Sequence, residues 1–444
     1  MDHREPPTTL WGTLRQIGPG LIITANIVGT GELILTTRLG AQTGFTMLWF
    51  IIFSCLIKVF VQIEIGRYTI SEGISSLQAL NRLPGPRAVV SWILWLWTVM
   101  FVCTLFQTTG MIVGIADLFA EQKNATRHAI WAVVAAASCA ILLVGGRYSW
   151  VEKLSTIMVV LFTGCTLFAV IALQWTPYRI TGANILDGFS FRLPDSFTVA
   201  FAAFGSTGVG ASELLYYPYW CMEKGYAKYV GPRDDSEAWI RRARGWLRVM
   251  KVDAFCSLVV YTTATVAFYL LGAAILHRRG EQVTDTTLVS SLSQMYLQTF
   301  GTWGLWIFLV GASVVLYSTL FVATASNARL LADGGSIWKV LRFPTPESRQ
   351  RVVRLACVLL PALMLILYFL WRKPVYLVTV GSVAQGTMYP FLGFAALYFR
   401  YRGTHPALRP GRMETFLLWL SFAALAIVGL YQIVDKLGLL AANK

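Results

Sequence analysis

Eleven apolar segments, each long enough to cross a lipid bilayer, divide this chain of 444 residues. A membrane-spanning helix needs about 17–25 predominantly apolar residues. Backbone groups inside a bilayer find no water, so each segment is predicted to satisfy its own hydrogen bonds as a helix. The segments are Gly18–Gly40, Phe45–Gly66, Ala88–Leu118, Ala129–Val144, Leu154–Gln174, Ser196–Met222, Val252–Leu276, Gly301–Leu331, Val352–Leu370, Val375–Phe399 and Glu414–Val434. The predicted fold class is an all-α integral membrane protein with eleven transmembrane helices.

The composition excludes a soluble protein. Hydrophobic residues make up 56% of the chain and charged residues only 13%, whereas a soluble domain carries about 25% charged residues. The net charge of +15 does not indicate a nucleic-acid partner, because the basic residues lie in short loops between apolar segments. The seven cysteines lie inside apolar segments without a C-x-x-C pair, which is typical of small buried side chains.

The loops that alternate along the chain differ in their content of Lys and Arg. If the N-terminus is cytoplasmic, the cytoplasmic segments hold more than twice as many of these residues as the outer segments. The positive-inside rule then predicts a cytoplasmic N-terminus and an outside C-terminus in a plasma (inner) membrane. Residues 1–17 are expected to form a cytoplasmic N-terminal segment.

The cytoplasmic loop 223–251 contains an amphipathic pattern. Trp239, Ala243, Trp246 and Met250 recur at helical spacing, with arginines between them. A basic helix with one apolar face is typical of a segment that lies in the membrane interface. We therefore expect this loop to carry an amphipathic helix on the inner membrane surface.

A six-residue motif occurs in the middle of the first and the sixth segment. Val28–Leu33 reads VGTGEL and Val209–Leu214 reads VGASEL, so four positions are identical. The second copy lies five spans after the first, and an odd number of spans per half inverts the second half relative to the first. This arrangement is typical of a five-plus-five inverted repeat whose helices 1 and 6 are broken. The predicted repeats are 18–174 and 196–400, followed by helix 11 at 413–438.

Each copy of the motif places a glutamate among glycines at mid-membrane. A glycine weakens a helix by about 1 kcal/mol relative to alanine, and backbone groups freed by a break need a cavity or a ligand. A carboxylate there costs about 2.5–3.5 kcal/mol on insertion scales, so it needs a cation, a proton or an arginine. Glu32 and Glu213 thus predict one central site for a cationic group. Two alternatives stay open: Glu32 caps the second half of helix 1, or both glutamates carry protons and touch no substrate.

The predicted substrate site lies between the two broken helices. The glutamates supply charge and are the expected ligands if the substrate is a metal ion, while carbonyl, hydroxyl and amide groups add neutral contacts. Tyr216 follows Glu213 by three residues and either offers an aromatic face to an organic cation or only packs. The predicted site residues are Glu32, Glu213, Gly29, Thr30, Gly31, Val209, Gly210, Ser212, Asn26, Thr207, Gln385 and Tyr216.

Several motifs along the chain resemble the Nramp family of divalent-metal transporters. Three features are spaced as in helix 1 of that family, namely Gly18-Pro19-Gly20, the break that follows and Gly40-Ala41-Gln42. The resemblance runs from Gly18 to about Arg400, and it implies a LeuT-like fold of the APC superfamily and secondary-active transport by alternating access. Weaker matches are Gly146-Arg147-Tyr148 with Glu152-Lys153, Asn327-Ala328-Arg329 and Pro390-Phe391.

The chain departs from the Nramp motifs at the predicted site. The family's Asp-Pro-Gly-Asn of helix 1 corresponds to Gly29-Thr30-Gly31-Glu32, and its Met-Pro-His of helix 6 corresponds to Gly210-Ala211-Ser212. The thioether of the family's methionine favours soft transition metals. This chain lacks that thioether and has two carboxylates, which favours hard ions such as Mg²⁺ or Mn²⁺. The same changes also leave room for a larger substrate.

The functional prediction is a secondary-active transporter of hard divalent metal cations. The alternative is a LeuT-like transporter of a small organic cation, amine or amino acid that does not carry metal. An enzyme or a receptor lacks supporting chemistry, because no span carries a catalytic motif. We expect no cofactor besides the transported cation and protons as a coupling ion. The expected partners are a small cationic substrate and the lipid bilayer, with no nucleic acid, and the chain is expected to be a monomer.

Overall fold

The computed structural model describes residues 3–120, 123–145, 148–193, 197–281, 283–284 and 287–436. Gly146 and Arg147 of the family-like motif, Ser196 at the start of the predicted sixth span and residues 437–438 of the predicted helix 11 lie outside this description. The α-helices of the described part are α1 (Leu10–Leu14), α2 (Pro19–Thr30), α3 (Thr37–Thr43), α4 (Leu48–Glu72), α5 (Ser76–Asn81), α6 (Trp92–Phe119), α7 (Ala125–Val144), α8 (Tyr148–Ala172), α9 (Gly182–Gly188), α10 (Phe197–Ser206), α11 (Ala211–Lys224), α12 (Tyr226–Val230), α13 (Glu237–Leu271), α14 (Leu288–Phe300), α15 (Thr302–Ile337), α16 (Pro346–Leu370), α17 (Pro374–Tyr398) and α18 (Arg412–Lys436).

Short elements complete the described part of the chain. Two strands of two residues each, β1 (Arg87–Ala88) and β2 (Val90–Ser91), pair in antiparallel register. The π-helical turns are Gly31–Thr36, Gly272–His277 and Phe399–Gly403, and the 3₁₀ turns are Leu173–Trp175 and Pro406–Leu408. The predicted all-helical class is confirmed.

Eight helices of the described part are long and apolar enough to cross a membrane, namely α4, α6, α7, α8, α13, α15, α16 and α18. The bent pair α2 and α3 would make a ninth span. The predicted sixth span is divided into α10 and α11, which have 10 and 14 residues and are each too short to cross alone. The number eleven stays a prediction.

Both predicted helix breaks are present. In helix 1, Val28 leaves helical geometry with φ −77° and ψ 62°, and a π-helical turn begins at Gly31. Helix 6 is interrupted between Ser206 and Ala211, and Gly208 there has φ +66°, a left-handed conformation that favours glycine. Each copy of the repeated motif thus lies at or directly beside one of the two breaks.

The helices differ in how deeply they lie in the bundle. About three quarters of the apolar stretch is buried in α4, α6 and α13 (72–78%), but only 33–39% is buried in α7, α8, α16 and α18. Exposed apolar side chains on a membrane protein face lipid, so the second group of helices lies at the periphery. Of the broken helices, α2 packs against α13, α15 and α8, α10 packs against α17, and α11 packs against α4.

The expected amphipathic helix on the inner membrane surface is not a separate element. The segment is the first part of α13, which runs without interruption into the seventh predicted span. Trp239, Ala243, Trp246 and Met250 are fully or almost fully buried. Trp246 donates a hydrogen bond to the carbonyl of Arg4 at 2.9 Å. The apolar face therefore packs against the protein and not against lipid, and this expectation is wrong.

Candidate functional site

The break in helix 6 leaves carbonyl groups at the end of α10 that no helical N–H can reach. A fully buried lysine from α4 satisfies two of them: the ammonium of Lys58 donates to the carbonyls of Phe204 and Thr207, the latter at 2.5 Å. The same ammonium lies over the rings of Phe204 and Tyr389, at 4.4 and 5.0 Å from their centroids. A cation is favourable here, because the C-terminal end of a helix carries partial negative charge.

Glu32 is also fully buried and bonds across to the break in helix 6. Its Oε1 accepts from the N–H of Gly208 at 3.1 Å and from the hydroxyl of Thr265 at 3.2 Å. Its Oε2 has no hydrogen-bond partner among the described residues. Glu32 is thus a capping group, as one alternative expected, but it caps the break in helix 6 and not the second half of helix 1.

Glu213 lies in the first turn of α11, where helix N–H groups favour a negative charge. Its Oε1 accepts a hydrogen bond from the side-chain amide of Asn26, which joins the two broken helices. Glu213 Oε2 and Asn26 Oδ1 are both buried without a partner in the described part of the chain. Buried polar atoms are normally hydrogen-bonded, so these two oxygens retain acceptor capacity that no described residue uses.

Gln385 of α17 approaches the same place. Its Oε1 accepts from the N–H of Ser212 at 3.0 Å, and its amide nitrogen donates to Gln107 at 2.8 Å. A Cβ built on Gly210 would overlap both Gln385 Oε1 and Glu213 Oε2. The two oxygens therefore converge on the place beside Gly210 that a side chain would otherwise occupy. We call it the Gly210 space.

The other predicted residues of helix 1 serve close packing. A Cβ on Gly29 would overlap the hydroxyl of Thr319, and a Cβ on Gly31 would overlap the carbonyl of Ser206. The hydroxyl of Thr319 donates to the carbonyl of Asn26 at 3.2 Å, so α15 satisfies a carbonyl near the break. These contacts let helix 1 lie directly against α15 and α10.

Three further predicted residues have contacts of their own. The hydroxyls of Thr207 and Thr36 are 3.2 Å apart, and the carbonyl of Val209 accepts from the hydroxyl of Tyr389 at 3.2 Å. Tyr216 donates to Asn327 Oδ1 at 2.6 Å. The side chain of Thr30 lies outside the described part of the structure.

The structure thus groups the predicted residues in two sets. Glu213 and Gln385 converge beside Gly210, and Asn26 contacts Glu213, whereas Glu32 has separate partners. No described hydrogen bond links the two glutamates. Among the described residues, no group of three or more His, Cys, Asp or Glu side chains could hold a metal ion. A cation beside Gly210 would therefore need amide or carbonyl oxygens as well as a carboxylate.

Lys58 and Gln107 are parts of this region that no motif predicted. Lys58 is the one charged residue inside the apolar segment Phe45–Ile63. A charged side chain within a span is costly and points to function, so its isolation was a usable signal. Gln107 of α6 carries a weaker signal, since one amide in an apolar helix is common.

A cavity of about 390 Å³ lies beside the second half of α11. Two ion pairs flank it: Glu223 contacts Arg329 at 2.6 Å, and Asp333 contacts Arg349 at 2.7 Å. Its lining residues are Ser75, Gln78, Tyr219, Met222, Glu223, Asp333, Ser336, Phe343 and Arg349.

Two broken helices with buried charges at their breaks, inside a bundle of apolar helices, define a membrane transporter with an inverted-repeat fold. The chain matches the family model of Natural resistance-associated macrophage protein-like proteins over residues 20–435, and it belongs to this Nramp family. The resemblance noted in the sequence is thereby confirmed. The family is a transporter family and not an enzymatic one.

Known proteins support the same fold. An uncharacterized protein of Pasteurella multocida (strain Pm70) is 22% identical over 416 residues, which cover 92% of this chain and 89% of that protein. A manganese transporter of Eremococcus coleocola, solved with an aromatic bis-isothiourea substituted compound, has a TM-score of 0.70 at 14% identity, covering 100% of this chain and 91% of that one. Mhp1, a nucleobase-cation-symport-1 family transporter solved with bromovinylhydantoin, has a TM-score of 0.60 at 16% identity, covering 96% and 90%.

Proposed function

We propose that this protein is a secondary-active transporter of divalent metal cations, and that the transported ions are hard ones such as Mg²⁺ or Mn²⁺. Membership of the Nramp family supports divalent metal transport. The observation that carries the choice of hard ions is Glu213 Oε2, a buried oxygen without a described partner that lies near Gln385 Oε1 at the Gly210 space. Asn26, whose Oδ1 also has no described partner, contacts the same glutamate. Carboxylate, amide and water oxygens are the ligands that hard cations prefer.

The charges near the breaks suit a divalent ion. Glu32, Glu213 and Lys58 are all buried near the two breaks. With all three groups ionised the region carries one net negative charge, and a divalent ion changes it to one net positive charge. The two carboxylates favour binding of the ion, whereas the positive charge of Lys58 reduces that attraction and favours release. A transport site needs both.

The small Gly210 space supports a metal ion over an organic substrate. A single added Cβ would already overlap two oxygens there. Tyr216, the aromatic residue considered for an organic cation, has its hydroxyl bound to Asn327. An amine or amino acid would need a larger space than one that a methyl group fills, so this alternative is not favoured.

Alternating access is the proposed mechanism. The breaks in helices 1 and 6 are the points at which half-helices can move, while α6 and α15, which correspond to predicted helices 3 and 8, act as the static wall. With the N-terminus in the cytoplasm of an inner membrane, the cavity beside α11 is the proposed cytoplasmic exit. Protons are the proposed coupling ion, since Glu32 keeps one buried oxygen without a described partner. We propose that the protein acts as a monomer.

The proposal is tested by Mn²⁺ flux into proteoliposomes, with Mg²⁺ and Ca²⁺ as competitors. We expect Glu213→Gln to abolish or strongly weaken flux, because it removes the charge at the Gly210 space. Glu237→Gln is the matched control, since Glu237 is exposed at the start of α13. If the folded wild-type protein moves no divalent ion, the proposal is wrong.

A further inference from the structure

A second cavity, of about 240 Å³, has no residue of the helix breaks in its lining. It is formed where α4, the start of α13 and residues 404–410 meet. Five of its nine lining residues are Arg or Lys. The lining residues are Arg67, Arg244, Leu247, Arg248, Lys251, Ala407, Leu408, Arg409 and Pro410. We call it the basic cavity.

Two of the five cations are neutralised by carboxylates. Arg67, which is buried, donates to Glu64 and Glu414 at 3.1 Å each and to the carbonyl of Leu408 at 3.2 Å. Lys251 contacts Glu414 at 2.6 Å. These ion pairs hold α4, α13 and α18 together, so they have a structural role and leave little charge for a ligand.

The other three cations have no carboxylate partner in the described part of the chain. Arg244 donates to the carbonyl of Ala407 at 3.1 Å, and Arg409 donates to the carbonyl of Tyr401 at 2.8 Å. These backbone contacts orient the guanidinium groups without neutralising them. Arg248 lines the cavity and makes no described hydrogen bond. Three positive charges therefore converge on one concave surface.

The positive-inside rule explains why basic residues occur in these loops, but it does not explain why they line a cavity. Like charges repel, so exposed arginines without a ligand would be expected to spread apart in water. Arginine presents a planar fork of N–H donors that matches phosphate oxygens. Basic pockets at the cytoplasmic side of membrane helices are suited to phosphate-bearing headgroups.

We infer that the basic cavity binds a phosphate group, through Arg244, Arg248 and Arg409. The phosphate belongs either to the headgroup of an anionic phospholipid or to a free phosphate anion. The chemistry of recognition is the same in both cases. Occupancy would connect α13 with the segment that leads into α18, and it is independent of the transport proposal.

Thermal unfolding of the full-length protein in mild detergent separates the two sources. Phosphatidylglycerol is titrated against phosphatidylcholine, and inorganic phosphate is titrated against chloride at equal ionic strength. A ligand that binds only the folded protein raises the melting temperature in proportion to the logarithm of its concentration above Kd. We expect one of the two phosphate sources to stabilise the protein where its control does not.

The double variant Arg244→Gln/Arg248→Gln should need at least about tenfold more of that ligand for the same stabilisation, because it removes two of the three free guanidinium groups. Arg351→Gln/Arg354→Gln is the matched control, since both arginines are exposed on α16 and lie outside the cavity. Stabilisation by phosphatidylglycerol alone identifies the lipid, and stabilisation by inorganic phosphate identifies the free anion. Equal responses of both double variants, or no response of the wild type to either source, would overturn the inference.

Discussion

Substitution of Gly210 by alanine tests the proposed ion site with a single added methyl group. Gly210 has φ −72° and ψ 169°, an extended conformation that alanine also adopts, so the backbone is not strained. The new Cβ overlaps Glu213 Oε2 and Gln385 Oε1, and either the oxygens shift or the ion loses its space. The effect is therefore directed at the site.

The expected magnitude follows from the packing. Inserting a methylene into a packed interior typically costs about 1–3 kcal/mol. If that strain is relieved only when the ion is absent, the affinity of the site for the ion falls by about 5–150-fold. We therefore expect the KM for Mn²⁺ to rise at least about fivefold in proteoliposome flux, or flux to disappear. The overlapping atoms are the ends of two flexible side chains that can shift when no ion is bound, so the melting temperature should stay close to that of the wild type.

A second glycine provides the control for this substitution. Gly164 lies in the peripheral helix α8, and a Cβ built on it meets nothing within 4 Å. Gly164→Ala should leave flux and stability unchanged. If Gly210→Ala transports Mn²⁺ with the wild-type KM, the ion does not bind beside Gly210, and the assignment of Glu213 and Gln385 as its ligands is refuted.

Three further substitutions test the buried charges. Lys58→Met removes the donor for two buried carbonyls, which cost about 1–3 kcal/mol each when unsatisfied. The substitution should therefore lower the melting temperature in detergent and abolish flux. An unchanged melting temperature would contradict the capping role of Lys58. Glu32→Gln keeps an acceptor for the N–H of Gly208 but removes the charge, so we expect weakened flux from stable protein, and wild-type flux would exclude a role of the charge. Arg67→Gln breaks a buried ion-pair network, a change that typically costs about 3–5 kcal/mol of folding stability. Arg82→Gln changes a half-exposed side chain (53%) and should cost about 0–1 kcal/mol. Equal melting temperatures of the two variants would refute this difference.

The breaks in helices 1 and 6 could be predicted from the sequence because their cause is local. Val28–Leu33 and Val209–Leu214 each concentrate small residues where a helix must otherwise be continuous. The roles of the glycines could not be predicted in the same way. Gly29 allows close contact with Thr319, whereas Gly210 lets a carboxylate and an amide oxygen converge beside the backbone. A glycine looks the same in the sequence whether its missing side chain admits a neighbouring helix or the polar ends of two side chains.

The amphipathic pattern of 236–251 shows the same limit. The period of its apolar residues predicts a helix with one apolar face, and α13 has that face. The pattern does not say whether lipid or protein covers it. Trp246 is covered by protein, including the N-terminal segment around Arg4. Periodicity reports which side chains share a face, and only the packed structure reports what that face contacts.

The sequence by itself determined the class of this protein. Long apolar segments, few charges and a repeated break motif suffice, because the bilayer permits so few backbone structures. Only the tertiary structure decided the chemistry at the breaks. Lys58 reaches carbonyls 146 and 149 residues further along the chain, and Glu32 reaches an N–H 176 residues away. Such contacts depend on how helices pack in three dimensions, and no local pattern in the chain encodes them.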